Sequence, residues 1–202
     1  MTTWDERFRT GAYPTEPDPS PVLCHYVDEF PGDRALDIAT GTGRNALFLA
    51  ETGYEVDAVD RSREGLQITR EQAADRGVDN RLNLVQADLT TYEFPVERYD
   101  VVTISYYRAV ERFPDIKEAI RPGGYLFVEH HLRSIESTPS GPSDERYRFG
   151  ANELLRACLD LTVLYYDEST EARPDDRRRA SARIVARKTT GTRQSYPRRW
   201  RE

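Results

Sequence analysis

The chain has 202 residues, which suits one α/β domain with a substantial buried core. Its formal net charge of −6, with charged residues at 32 %, argues against a nucleic-acid partner and indicates an ion-rich surface. No apolar run approaches the roughly 18 residues of a membrane span, and no leader peptide is visible. We therefore expect a cytoplasmic protein without a membrane partner, with Cys24 and Cys158 as buried thiols.

The N-terminal part of the chain is predicted to pack over the domain. Residues 1–17 contain aromatic side chains that need cover, but the segment is too short and too rich in proline for a core element. We interpret it as a strap, or as a lid that closes over a ligand. An amphipathic helix is predicted at 20–30, with Ser20 as its N-cap and Pro21 at its first position.

The stretch 34–60 organises the rest of the chain. An apolar run predicts a short buried strand, Gly41 and Gly43 predict a tight turn, and the apolar spacing after Arg44 predicts a helix. A second strand ends at Asp60, whose carboxylate can accept hydrogen bonds from a ribose diol. The unpaired N–H groups at the start of the helix would face a ligand over the turn. This layout predicts a βαβ unit that binds a nucleotide-like ligand.

Two ligand classes fit this turn, and one acidic residue separates them. Gly41-x-Gly43-x-x-Ala46 also satisfies the dinucleotide fingerprint, so NAD is an alternative. Asp37, at the strand end before the turn, would repel a pyrophosphate but suits a cationic amine. A ligand with an amino-acid end, a ribose and an adenine, but no phosphate, is S-adenosyl-L-methionine. That molecule is the predicted cofactor.

A third acidic residue extends the predicted site. A helix capped by Ser62 is followed by a third strand at 82–87, and Asp88 comes directly after it. We expect Asp88 to accept a hydrogen bond from the adenine amino group, while the N–H of Leu89 serves the ring. The predicted cofactor-binding residues are Asp37, Ala39, Gly41, Gly43, Asn45, Asp60, Arg61, Asp88, Leu89 and Ser105.

The fourth predicted strand, at 99–104, brings aromatic residues to the same edge of the sheet. Tyr106 and Tyr107 follow it and are candidates to line the cofactor and the acceptor. No Asn/Asp-Pro-Pro-aromatic stretch follows this strand, which further disfavours a nucleic-acid substrate.

The fifth predicted strand carries a pair of histidines. A helix at 113–121 and an Arg-Pro-Gly-Gly turn precede this strand, which is predicted at 125–130. His130 and His131 are adjacent, so in a strand they point to opposite faces and cannot bind one ion together. No metal site is predicted. One of the two histidines is expected to face the crevice as an acceptor-site residue.

The C-terminal third is predicted to close the sheet. The last elements expected are a substrate lid at 133–150, a short helix at 152–158, and an antiparallel hairpin of 162–166 and 182–186 with Arg173 and 177–179 in its linker. We assign 1–188 to one domain. Residues 189–202 are basic and lack a periodic pattern, so a disordered tail is predicted.

Two levels of resemblance follow from these motifs. Asp37-Ile38-Ala39-Thr40-Gly41-Thr42-Gly43 resembles the first motif of class I methyltransferases, acidic-x-Gly-x-Gly-x-Gly, with Ala39 replacing the first Gly. Further signatures resemble the tellurite-resistance-type branch of these small-molecule methyltransferases. They are Trp4-Asp5-x-Arg7-Phe8, Ala39-Thr40-Gly41-Thr42-Gly43-Arg44-Asn45, Arg121-Pro122-Gly123-Gly124, Asn152-Glu153-Leu154-Leu155 and Ala186-Arg187-Lys188.

The resemblance implies a doubly wound α/β fold with a mostly parallel seven-stranded sheet and a C-terminal antiparallel hairpin, the Rossmann-like methyltransferase fold. It implies S-adenosyl-L-methionine as cofactor and a small acceptor, such as a thiol or an oxyanion of a heavier chalcogen. Relatives often carry a His-Arg pair and a further Arg around the last hairpin. Here Arg173 matches the Arg of the pair, but Ala172 stands in the His position and Ala180 in that of the later Arg.

We expect an in-line displacement, in which the methyl group is already activated and the protein supplies position and electrostatics. The predicted catalytic residues are Tyr107, His130 and Arg173. His130, His131 and Glu129 are the candidate bases for a hydroxyl or amine acceptor, and Arg173 and Arg177 can hold an anionic acceptor. Two other classes stay open, an NAD(P)-dependent oxidoreductase and a non-catalytic S-adenosylmethionine-binding module. The choice between monomer and homodimer is also open.

Overall fold

The computed structural model describes residues 3–11, 13–135, 141–172 and 178–197. The predicted catalytic residue Arg173 and the end of the predicted tail, 198–202, lie outside these ranges. The helices are α1 (Trp4–Arg9), α2 (Pro21–Tyr26), α3 (Arg44–Glu51), α4 (Arg63–Asp75), α5 (Phe113–Ala119) and α6 (Glu153–Ala157). The strands are β1 (Arg34–Ile38), β2 (Glu55–Asp60), β3 (Leu82–Gln86), β4 (Tyr99–Ser105), β5 (Ile120–His131), β6 (Thr162–Ala172) and β7 (Arg178–Arg187).

The strands form one sheet in the order β3-β2-β1-β4-β5-β7-β6. Strands β1 to β5 pair in parallel, and β7 runs antiparallel to both β5 and β6. The predicted doubly wound, mostly parallel sheet with a C-terminal antiparallel hairpin is confirmed. The chain order reverses between β1 and β4, so a crevice opens at their carboxyl ends, where open α/β sheets bind ligands.

Both faces of the sheet are covered by apolar packing. One face packs against α5 and α6 through residues such as Phe113, and the other packs against α2 and α3 through residues such as Leu47. The central strands therefore read as buried runs and not as alternating ones. Asp37, Thr103 and Glu129 are buried polar exceptions, and all three lie near the carboxyl ends of their strands.

The N-terminal segment contains a regular helix that the sequence reading did not predict. Thr3 and Glu6 form a reciprocal capping box at the start of α1, and Phe8 is buried. Asp5 accepts hydrogen bonds from the Ser62 hydroxyl and from the Glu64 N–H, both at the start of α4. The segment is thus a strap that is docked on the N-terminus of α4.

The predicted helix at 113–121 ends two residues early. Pro122 disfavours helical geometry at the residue before it, so Arg121 is already extended and β5 begins at Ile120. The Arg-Pro-Gly-Gly segment therefore lies within the strand instead of forming a separate turn. A register shift opposite Tyr99 and Val101 absorbs the irregularity.

The hairpin and the loop before it also differ from the prediction. Strand β7 begins at Arg178, so Arg178 and Arg179 are strand residues and not part of a linker. Of the predicted lid at 133–150, residues 136–140 lie outside the described ranges. Phe149 is fully buried and forms a bridge with Leu132, so this end of the segment belongs to the core.

One cysteine prediction was wrong. Cys158 is buried, but Cys24 is exposed, because it lies on the outer side of α2 while Val22 and Leu23 face the core. The described ranges contain no helix that is both long and apolar enough to cross a bilayer.

Candidate active site

The turn after β1 is held open by two glycines with positive φ. Gly43 has φ of 89° and precedes α3 directly, and Gly41 has φ of 58°. A Cβ on Gly43 would lie 2.8 Å from Leu47 Cδ1 and 2.9 Å from Thr69 Cγ2. A larger residue at Gly43 would therefore clash with the side chains of Leu47 and Thr69 unless they move, and it would strain the left-handed backbone.

Ala39 also adopts a left-handed conformation, with φ of 58°. This is the position where the class I motif usually has its first glycine. A side chain at such an angle costs about 1 kcal/mol or more per residue. The structure thus gives the physical reason for that glycine and shows that this chain tolerates strain at the entrance of the turn.

Asp60 fixes the turn from the end of β2. One carboxylate oxygen accepts the Gly41 N–H at 2.8 Å, and the other accepts the Ser62 N–H at 2.7 Å. Burial raises the pKa of Asp60 above its ordinary value, and the backbone hydrogen bonds from Ser62 and Gly41 oppose that shift. Each oxygen keeps a lone pair, so a diol at this edge could still be bound.

Asp37 lies in the centre of the crevice with only 2 % of its surface exposed. The Thr103 hydroxyl donates to its carboxylate at 2.6 Å. Burial raises the pKa of Asp37 to about 6, and hydrogen bonds from Thr103, Thr40 and Asn45 only partly offset it. No cationic side chain of the described ranges pairs with this carboxylate. The site therefore holds a negative charge that lacks a partner.

Asn45 supplies a second incomplete group beside Asp37. Its Nδ2 donates to the Ser105 hydroxyl at 3.0 Å, which ties α3 to the end of β4. Its Oδ1 is buried and accepts no hydrogen bond from the described residues. Buried polar atoms are normally paired, so an unpaired acceptor next to an uncompensated carboxylate fits a cationic, hydrogen-donating ligand group.

The remaining predicted cofactor residues lie along the same edge. Leu89 is buried after β3, whereas Asp88 and Arg61 are exposed. Asp88 accepts the N–H and the hydroxyl of Thr90, which lower its pKa. These residues follow β2 and β3, so the predicted set spans the carboxyl ends of β1, β2, β3 and β4.

The other side of the crevice is charged, and its buried carboxylate is paired with two guanidinium groups. The Glu129 carboxylate, 1 % exposed, accepts from Arg44 Nη1 at 3.0 Å and from Arg183 Nε at 3.1 Å. Burial acts to raise the pKa of Glu129, but the guanidinium groups of Arg44 and Arg183 outweigh it and hold the pKa below its usual value. Glu129 is therefore ionised and held on both oxygens.

Tyr106, and not Tyr107, faces this charged cluster. Its hydroxyl accepts from Arg179 Nη1 at 2.7 Å, and the guanidinium groups of Arg44 and Arg179 lie 5.4 and 5.7 Å from its ring centre. The His131 ring packs against it at 4.8 Å. Its φ of 59° is unusual for an aromatic residue and marks a strained strand end.

The three predicted catalytic residues are not brought together in this cluster. His130 lies on the opposite face of β5 from Glu129 and packs against the Phe149 ring at 5.2 Å. Burial lowers the pKa of His130 to about 4, so the ring is neutral at physiological pH. Tyr107 packs against the α5 side of the core, and Arg173 lies outside the described residues.

The strap crosses the turn by backbone contacts. The Thr42 hydroxyl donates to the Pro14 carbonyl at 3.0 Å, and Arg44 Nε donates to the Asp18 carbonyl at 2.6 Å. Phe8 approaches the turn as well, since a Cβ on Gly41 would lie 3.3 Å from its ring. The segment thus covers the turn from the solvent side.

Residues 35–124 match the family model described as a methyltransferase domain. A demethylmenaquinone methyltransferase from Clavibacter sepedonicus is 32 % identical over 71 % of this chain and 60 % of that protein. The C-methyltransferase UbiE of ubiquinone and menaquinone biosynthesis from Azotobacter vinelandii is 38 % identical over 48 % of this chain and 42 % of its own length. The chain thus spans about half the length of these curated relatives.

Solved structures show the same fold. TehB from Haemophilus influenzae superposes with a TM-score of 0.72 at 18 % identity, covering 92 % of this chain and 66 % of that one. A methyltransferase from Methanosarcina mazei gives a TM-score of 0.66 at 16 % identity, covering 86 % and 99 %. Residues 35–124 are thus similar to a methyltransferase domain, and the sheet order and these neighbours show that the chain has the fold of class I methyltransferases.

Proposed function

We propose that this protein transfers the methyl group of S-adenosyl-L-methionine to a small-molecule acceptor. One observation carries the proposal, namely the buried Asp37 carboxylate without a cationic partner beside the unpaired Oδ1 of Asn45. The amino-acid end of the cofactor bears an ammonium group, which offers the missing positive charge and the missing hydrogen-bond donors. A dinucleotide would place phosphate charge near the same carboxylate.

The residues at the carboxyl ends of β1, β2 and β3 are assigned to different parts of the cofactor. Gly41 and Gly43 allow close approach of the backbone, and Asp60 is placed at the end of β2 to accept hydrogen bonds from ribose hydroxyls. Asp88 and Leu89 follow β3, where we assign the adenine end. These assignments agree with the order of the strands across the crevice.

The charged cluster at the carboxyl ends of β4 and β5 supports an acceptor that needs no strong base. When bound, the cofactor supplies an already activated methyl group. Glu129 is held ionised between two guanidinium groups, and His130 is neutral and buried on the other face. The cluster therefore serves to shape and polarise the acceptor site. A soft nucleophile, such as a thiolate or a chalcogen oxyanion, suits that environment.

A second candidate acceptor comes from the relatives. Two of them are named as methyltransferases of menaquinone and ubiquinone biosynthesis, and one is named as a C-methyltransferase. Methylation of a ring carbon in a quinol requires loss of a hydroxyl proton, so a base is needed. His131, whose ring packs on Tyr106, is the candidate at this edge.

The test is transfer of labelled methyl from S-adenosyl-L-methionine to a small thiol, selenite and a short-chain naphthoquinol. We expect a methylated product and S-adenosylhomocysteine with one acceptor class, and loss of both in Asp60→Ala. Asp57→Ala, on the same strand but with its carboxylate bonded to Tyr99, is the matched control. Cofactor binding without transfer to any acceptor would instead favour a non-catalytic binding module.

A further inference from the structure

A continuous series of polar contacts connects the cofactor turn with the C-terminal hairpin. It begins at Arg44, the first residue of α3, which donates to Glu129 at 3.0 Å. Glu129 accepts in turn from Arg183 on β7 at 3.1 Å. Arg183 pairs with Glu171 on β6, and Glu171 also accepts from Arg179 at 3.1 Å. The series joins α3, β5, β7 and β6.

The series ends at the acceptor side of the crevice. Arg179 Nη1 donates to the Tyr106 hydroxyl at 2.7 Å. The backbone N–H of Tyr106 donates to the Glu129 carbonyl at 2.9 Å, so Glu129 holds the main chain of this residue as well. Glu129 is therefore hydrogen-bonded to α3 through Arg44, to β7 through Arg183, and to Tyr106 directly after β4.

Because Glu129 is buried, its carboxylate depends on the positions of its two guanidinium partners. The Glu129 side chain is 1 % exposed, and the side chains of Arg183 and Arg44 are 7 % and 16 % exposed. A carboxylate shared by two buried guanidinium groups keeps its stabilising effect only while both stay in place. A movement of Arg44 at the turn is thus opposed by, or passed on to, Arg183 on the hairpin.

Resting on the proposed function, we propose that Glu129 is a positioning residue that couples the cofactor site to the hairpin wall of the acceptor site. Cofactor bound at the Gly turn restricts the movement of Arg44. The contacts of Glu129 with Arg44 and Arg183 then restrict the movement of Arg183 as well. The hairpin then holds Arg179 and Tyr106 in place. Coupling of this kind is reciprocal, so a change on the hairpin must alter affinity at the cofactor site.

The test exploits that reciprocity and needs no acceptor. Arg183 has none of the cofactor-binding residues among its partners, so Arg183→Lys should leave cofactor affinity unchanged if the ion pairs are merely structural. We expect Arg183→Lys and Glu129→Gln to bind S-adenosylhomocysteine about 5- to 10-fold more weakly by calorimetry. The double variant should bind no more weakly than the weaker single variant, because both changes break the same connection.

Asp100→Asn is the matched control. Asp100 is a buried carboxylate on β4 that pairs with Arg121 at the opposite end of the strand. It should lower stability but keep affinity within about twofold. Hydrogen exchange of the amides in 181–187 gives a second readout, and we expect S-adenosylhomocysteine to slow it in the wild type but not in Arg183→Lys.

Two results would overturn the coupling. Wild-type affinity in Arg183→Lys would show that the hairpin is independent of the cofactor site, and so would losses that multiply in the double variant. Failure of the wild-type protein to bind S-adenosylhomocysteine would instead refute the proposed function itself. Because Arg183→Lys keeps the charge, it remains informative if Glu129→Gln does not fold.

Discussion

Two buried carboxylates on neighbouring parts of the sheet show opposite electrostatics. Asp37 and Glu129 are 2 % and 1 % exposed, yet burial raises the pKa of Asp37 to about 6, while Arg44 and Arg183 hold the pKa of Glu129 below its usual value. The carboxylate on the proposed cofactor side of the crevice thus lacks a cationic partner, whereas the carboxylate on the proposed acceptor side has two. A buried carboxylate without a cationic partner fits a ligand-binding role, and a buried carboxylate with two such partners fits a structural role.

The two carboxyls therefore affect stability in opposite ways as pH changes. Glu129 has a depressed pKa, so its contribution is present above its unfolded pKa and is lost as pH falls through the folded value. Asp37 has a raised pKa, so its contribution lowers stability as pH rises from the unfolded value of 3.8 to about 6 and then stays level.

The largest expected effect is a loss of stability when Glu129, the carboxylate with two cationic partners, is changed. Glu129→Gln removes the carboxylate and leaves the buried Arg183 and the partly buried Arg44 without their shared anion. We expect the free energy of unfolding to fall by about 3–5 kcal/mol in denaturant titrations at pH 7. A loss below about 1 kcal/mol would mean that the cluster is solvated and that its charges are not coupled.

Removal of the charge on Asp37, which lacks a cationic partner, should instead raise the stability. In Asp37→Asn the buried charge is removed while the Thr103 hydroxyl keeps an oxygen partner. A shift from 3.8 to about 6 corresponds to about 3 kcal/mol at pH 8, so we expect stability to rise by on the order of 1–3 kcal/mol. A clear loss of stability in the same denaturant titration would show that the carboxylate is already compensated.

The same comparison predicts the pH dependence of cofactor binding. Asp37 must be ionised to pair with an ammonium group, and its pKa in the free protein is about 6. Affinity for S-adenosylhomocysteine should therefore be level above pH 7 and fall by up to about tenfold per unit below pH 6. Asp60→Asn is the comparison variant, because it should bind more weakly and keep a fall in affinity at acidic pH, displaced to lower pH since the Asp60 charge helps to raise the pKa of Asp37. A flat profile in the wild type between pH 5 and pH 7 would exclude Asp37 as the partner.

The smallest expected effect concerns strain at the turn. Ala39 has φ of 58°, which glycine adopts without steric cost. Ala39→Gly should stabilise the protein by roughly 0.5–1 kcal/mol, because relief of strain exceeds the added freedom of the unfolded chain. Thermal unfolding measures this change, and Ala50→Gly, within α3, is the control that should destabilise.

The sequence indicates the residues around the Gly turn more readily than the partners of Glu129, for a physical reason. Gly41, Gly43 and Asp60 act through local backbone geometry over a short stretch, so their spacing is visible in the chain. The partners of Glu129 lie 85 and 54 residues away in sequence, at Arg44 and Arg183, and only the strand order brings them together. No periodic pattern reveals such pairs.

Local conformation explains the other differences. Alternation along a strand cannot tell which of two adjacent tyrosines faces the crevice when Tyr106 has a positive φ. The assignment of His130 had the same weakness, since the two histidines of β5 were equivalent by pattern. The sequence signal for α1 is the capping box formed by Thr3 and Glu6.

Calorimetric titration at pH 7.5 tests most directly whether Asp37 pairs with the ammonium group of an adenosyl ligand, as proposed. We expect S-adenosyl-L-methionine and S-adenosylhomocysteine to bind the wild-type protein, NADH not to bind, and Asp37→Asn to lose at least about tenfold in affinity for both adenosyl ligands. Equal binding by Asp37→Asn, or binding of NADH alone, would contradict the account.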